Sequence, residues 1–131
     1  MTLPEPYTRT LEDAKNEKLM AIEDYDRSSF VNSFDIMQND EVVASSWLTP
    51  AERANYRSSI DAAELVGLTE LSLYIGEIPV TLPTATAKLM LAQIQLYADQ
   101  CFIVTKQHKA AVEALESIEA VGNYDITARY P

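Results

Sequence analysis

The chain has 131 residues, 47% of them hydrophobic, with 20 acidic and 10 basic side chains and a formal net charge of −10. This size fits one domain that can bury about two-thirds of its unfolded surface, and the apolar content excludes a disordered chain. The acid excess, with no basic stripe to release phosphate counterions, excludes the usual ways of holding nucleic acid or an anionic membrane.

The acids outnumber the bases thirteen to six up to Val66 and seven to four after it, so the excess is general. The usual consequence is solubility. Three glycines are too few for a turn-rich sandwich or barrel and favour helix. A single cysteine, Cys101, allows no intrachain disulfide. No apolar run approaches the roughly 20 residues of a membrane span. The opening MTLPEPYTRTLED lacks the positive and apolar regions of a signal peptide, so the expectation is a protein made and folded in a cytoplasm.

Residues 1–8 hold two prolines and no periodicity, and are expected to form a flexible arm ahead of one domain over 9–131. Thr10, with Asp13 three residues on, is a weak form of the capping box. Leu11, Ala14, Lys18, Ala21, Ile22 and Tyr25 follow at helical spacing and predict a helix from Leu11 to Asp26 with a narrow apolar face. From Ser29 to Gln38, Phe30, Asn32, Phe34 and Ile36 alternate with Val31, Ser33, Asp35 and Met37, which predicts a strand. Asn39-Asp40 is its turn and Glu41 to Leu48 its return strand. Trp47 is expected to anchor the core through its large contact area.

Thr49, Pro50 and Glu52 supply an N-cap, a first-turn proline and a capping-box partner, the most specific local signal in the chain. Ala51, Tyr56, Ile60, Ala63 and Leu65 carry the apolar side of the helix they open, and Gly67 ends it. Leu68 to Ile75 and Ile78 to Leu82 read as a second hairpin around Gly76-Glu77. Pro79 confines the return strand to an edge. Pro83 ends it, and Thr84 or Thr86 is expected to cap the next helix.

That helix, over 84–122, is the predicted spine. Met90, Ile94, Tyr97, Cys101, Val104, His108, Ala111, Leu115 and Ile118 form a continuous heptad seam. Ala87, Leu91, Ala98, Phe102 and Val112 form a second row beside it, a width that suits a helix buried in its own domain or in a bundle. The segment 123–131 is expected to fold back on the body through its tyrosines and Ile126. The order α-ββ-α-ββ-α predicts an α+β fold in which two hairpins form a small antiparallel sheet against the long C-terminal helix.

No constellation carries catalytic or metal chemistry. Cys101 and His108 lie two turns apart, about 10 Å along a helix axis, too far for a nucleophile pair or for shared metal ligation. Glu23, Asp24, Asp26, Asp35, Asp40 and Glu41 lack the spacing of a calcium loop and read as solvated. The serine pairs at 28–29, 45–46 and 58–59 lie in no nucleophile elbow, and no glycine-rich phosphate loop exists. Arg53 and Arg57, one turn apart, read as ion-pair formers. No catalytic residue, metal or cofactor is expected.

Two stretches carry a resemblance. The segment SSWLTPAERANYRSSIDAA looks like a W-L-x-x-x-x-R helix opening. The segment from Leu89 to Pro131 contains Y-A-x-x-C-F-x-V-T-x-x-H-K at Tyr97–Lys109, A-L-x-x-I-E-x-V at 114–121 and Y-D-x-T-x-x-Y-P at Tyr124–Pro131. These pieces resemble the family catalogued as domain of unknown function 4376, over roughly residues 20–131 and most specifically in the second half. That family is similar to domains of tailed phages and prophages, often attached to tail-fibre proteins, and to short separate chains in gut Bacteroidales. The resemblance implies a non-enzymatic structural or tail-associated role, through contacts with tail or other virion proteins or through a homo-oligomer (trimer or dimer). The alternative is an assembly chaperone or adaptor absent from the mature virion. Neither nucleic acid nor membrane is an expected partner. The expected location is the host cytoplasm during synthesis, and the virion if the chain is a virion part. The resemblance brings no catalytic residue.

Overall fold

The computed structural model describes residues 9–46, 49–75 and 77–131; the expected arm at 1–8, Trp47, Leu48 and Gly76 lie outside the described residues. The elements are α1 (Leu11–Asp26), β1 (Phe34–Gln38), β2 (Glu41–Ser46), α2 (Pro50–Leu65), β3 (Glu70–Ile75), β4 (Ile78–Pro83), α3 (Thr84–Glu113) and α4 (Ile118–Asn123). The α+β class and the order α-ββ-α-ββ-α follow the sequence pattern. Among the described residues, however, the hairpins form two separate two-stranded sheets and do not join into one.

Local chemistry explains most boundaries. The capping boxes of α1 (Thr10, Asp13) and α2 (Thr49, Glu52) are both closed in both directions, satisfying two otherwise orphaned amides each. At the end of α2, Gly67 has φ +77°, and the Leu68 and Gly67 amides donate to the Ala63 and Glu64 carbonyls, a Schellman closure. In the first hairpin Asn39 and Asp40 both take positive φ, as a two-residue type I′ turn demands. The register shifts between Ile36, which faces Ala44, and Met37, which faces Val42, so Val43 is the extra residue of a β-bulge.

Four expectations are corrected. Residues 29–33 form turns and a bend instead of strand, because the Val31 carbonyl accepts the Tyr97 hydroxyl (2.6 Å) and the Val31 side chain is buried. Neither Thr84 nor Thr86 caps α3. Pro83 stands at the cap, and Thr84 is buried with its hydroxyl on the Leu68 carbonyl (2.8 Å) and its amide on that of Thr69 (2.9 Å). Leu65 and Ala51 point outward, while Arg53 is buried on the inner side of α2. The spine also stops at Glu113 instead of running to 122.

That last break has a tertiary cause. Lys15 of α1 donates to the Glu113 carbonyl (2.6 Å), and Lys18 reaches the carbonyls of Gly122 (3.4 Å) and Tyr124 (3.3 Å). Ser117 accepts the Ala120 amide and caps α4. The chain then turns back, Val121 becomes fully buried, and Ile118 is left 41% exposed.

α3, about 45 Å long at 1.5 Å per residue, divides the core between its halves. Ala87, Met90, Leu91 and Ile94 pack with Ile36, Ile60, Leu73, Ile75, Val80 and Leu82 from the first hairpin, α2 and the second hairpin. On the second hairpin Leu73, Ile75, Val80 and Leu82 face this core, and Ser72 and Thr81 bond each other on the other face. The second half of α3 packs against α1, and Ala14, Ile22 and Val121 are buried along with it.

Candidate interaction surface

The predicted seam faces the interior of its own chain. Met90, Ile94, Cys101, Val104 and His108 are buried, Tyr97 and Leu115 are half-buried, and Ile118 belongs to α4. Trp47, the expected core anchor, lies outside the described residues. Of the second row, Ala87, Leu91, Ala98 and Val112 are buried, but Phe102 is 62% exposed with the Lys106 ammonium 5.4 Å from its ring centre.

Around His108 the segment 124–131 closes a polar network. The Ala128 carbonyl can only accept, so His108 Nε2 donates to it (2.7 Å). Nδ1 pairs with the Tyr124 hydroxyl (2.7 Å), whose oxygen receives an N–H from Arg129 (3.3 Å). One turn away Thr105 donates to Asp26 Oδ1 (2.8 Å) and so accepts from Tyr130 (2.6 Å). Tyr130 also packs on Tyr25 of α1, ring centres 5.5 Å apart. The Asp125 carboxylate accepts both the amide and the hydroxyl of Thr127, which hold it below the usual carboxylate range. Both ring nitrogens of His108 are thus spent on structure.

Cys101 is equally committed. Burial pushes its thiol pKa up, so the nucleophilic thiolate is disfavoured. A hollow of about 360 Å³ lies beside it, lined by Asp26, Arg27, Asn32, Pro50, Arg53, Ala98, Asp99, Cys101 and Phe102. Its lining mixes two acids with two arginines and gives no single-sign pull on a ligand. Among the described residues no three of His, Cys, Asp and Glu converge as metal ligands, and no helix is long and apolar enough to cross a membrane.

The outward side of α3 is what the sequence reading passed over. Leu89, Leu96 and Ile103 are 60%, 67% and 53% exposed and lie at intervals of seven, each one residue ahead of a seam position. Gln93, Gln100 and Gln107 run beside them, all exposed. At the N-terminal end of this row, Leu68, Pro83 and Ala85 line a second hollow of about 490 Å³, next to Leu65, which is 88% exposed, and Val66. The Lys88–Glu64 ion pair (3.2 Å) ties the end of α2 to the start of α3 there. Exposed apolar side chains thus occur both at the α2 terminus and along the outer side of α3, on a chain that is otherwise densely acidic. The signal was present in the sequence: the same heptad that produced the inner seam also produces this row, shifted by one residue.

Compared with protein-family models, with curated proteins and with solved structures, the chain finds no match.

Proposed function

We propose that this chain is a non-enzymatic structural or tail-associated protein of a phage or prophage, acting through protein–protein contacts or self-association. The observation that carries the contact role is the apolar surface from Leu65, Val66 and Leu68 to Leu89, Leu96 and Ile103. Large exposed apolar side chains clustered on one helix face are a mark of interaction sites. The phage setting is supported by the motif resemblance at Tyr97–Lys109 and Tyr124–Pro131. The commitment of His108 and Cys101 to packing agrees with a role that needs no reacting group.

Quantitative mass spectrometry of purified particles tests this reading. The expected outcome is the chain present at a fixed ratio to a tail protein. Presence in tail intermediates with loss from finished particles would make it an assembly chaperone or adaptor instead. Absence from both would sink the phage role.

A further inference from the structure

We infer that the outer face of α3 is a self-pairing surface, on which a second copy of this chain lays its own α3 in the opposite direction. The inference rests on the self-association arm of the proposed function and gives it a site.

Leu89, Gln93, Leu96, Gln100, Ile103, Gln107 and Ala110 follow one another in alternating steps of four and three, all exposed. That is the spacing of a coiled-coil seam, carried over about 32 Å of helix. It is a different seam from the buried one, and nothing within the chain's own fold requires a leucine or isoleucine at every seventh solvent-facing position. Its seven positions hold no charge, on a chain where charged residues make up 23%.

The flank of the seam identifies the occupant. Three residues beyond each of Leu89, Leu96 and Ile103 come Ala92, Asp99 and Lys106, also exposed. A two-fold axis between Gln100 and Ile103 sets Gln100 beside Ile103 of the second copy, and Leu96 beside Gln107 of the second copy. The same axis sets Asp99 opposite Lys106 of the second copy, and the reverse. The pattern is its own complement: acid meets base twice, and every apolar side chain has apolar or amide neighbours. In a parallel pair each flank would run beside its own copy in register, which gains no such pairing. Of the charges on α3, Lys88 and Lys109 are already paired within the chain, with Glu64 (3.2 Å) and Glu23 (3.1 Å), so Asp99 and Lys106 are the charges that flank this seam. In the single chain Asp99 accepts an N–H from Gln95 (2.9 Å) and Lys106 lies over Phe102, both surface arrangements that leave the charges within reach of a neighbour.

The test is sedimentation equilibrium on the full chain over a wide concentration series, with far-UV circular dichroism confirming that each variant is folded. The expected result is a monomer–dimer equilibrium. Leu96→Glu should raise the dissociation constant by about 100-fold or more, since two leucines lose their cover and two carboxylates replace them. Asp99→Lys and Lys106→Asp should each raise it by about 10-fold by setting like charges opposite one another. The double variant should return to near the wild-type value. A monomer at every concentration overturns the inference. So does an oligomer that Leu96→Glu leaves intact, or a double swap no better than the single ones. A strict monomer that is still found in virions would end the self-pairing while leaving the proposed function in place.

Discussion

His108 shows how a reactive residue type becomes a structural one. Its two ring nitrogens bridge Tyr124 and the Ala128 backbone, and its ring packs edge-on against Tyr124 with centres 5.5 Å apart. Replacing it with Ala removes two hydrogen bonds and a fully buried ring, and leaves the half-buried Ala128 carbonyl and Tyr124 hydroxyl without their His108 partner. The expected loss is about 2–4 kcal/mol of unfolding free energy by urea titration, with partner contacts at the outer face of α3 unchanged. Tyr97 gives a pH signature. Burial, with a smaller push from Cys101, raises its hydroxyl to about 12, so the folded state holds that proton where an unfolded tyrosine, near 10, has released it. Its contribution is therefore full below about pH 10 and is lost as the pH climbs towards 12. Tyr97→Phe should be less stable at neutral pH by about 1 kcal/mol, from the lost bond to Val31. The gap to wild type should close on alkaline titration; a constant gap would show that the hydroxyl does not titrate with folding.

The helical elements divide into those closed by local chemistry and those closed by distant residues. α2 is of the first kind. Gly67→Ala meets no atom within 4 Å, so its whole cost is the positive φ, about 1 kcal/mol. Thr49→Ala should cost a similar amount through the open cap. A thermal melt reads both, and an unchanged melting temperature for Gly67→Ala would mean that the turn relaxes. Such features were legible in the sequence because each is local: Thr49 and Glu52 sit three residues apart, and Gly67 stands within four residues of the Ala63 and Glu64 carbonyls that its turn closes. The end of α3 was not. Residues 113–118 contain neither glycine nor proline, and the heptad continues through Leu115 and Ile118. The break follows from Lys15 and Lys18, a hundred residues earlier in the chain, and no window of local periodicity contains them. The turn at 29–33 was missed for the same reason, since its partner Tyr97 lies 66 residues on. The outer row of α3 was hidden differently: reading one seam as the buried face assigned its neighbours to solvent without asking which residues those were.

At the scale of the whole molecule, charge and apolar surface are kept apart. Most of the net charge of −10 lies away from α3, whose outward face combines leucine, isoleucine and glutamine. Two copies meeting there still repel through their remaining acids, and salt screens that long-range term within about 10 Å at 0.1 M. The Asp99–Lys106 pairs alone would weaken with salt. With so large an excess of acid, the repulsion should dominate, and dimerisation should strengthen from low to moderate ionic strength. Light scattering at a fixed protein concentration checks the sign, and weakening would show that ion pairs outweigh net charge in the contact.

The grip of Lys18 on the Tyr124 carbonyl spans 106 residues of chain. During synthesis α1 emerges ahead of the groups that complete its docking, which come about 5–20 s later at roughly 5–20 residues per second. Until then it waits beside the ribosome with little to hide: its fully buried side chains are only Ala14 and Ile22. A more apolar first helix would spend those seconds as a target for chaperones or for neighbouring nascent chains. The polar make-up that leaves α1 with a narrow sticky face is thus suited to a helix whose partner groups follow about a hundred residues later.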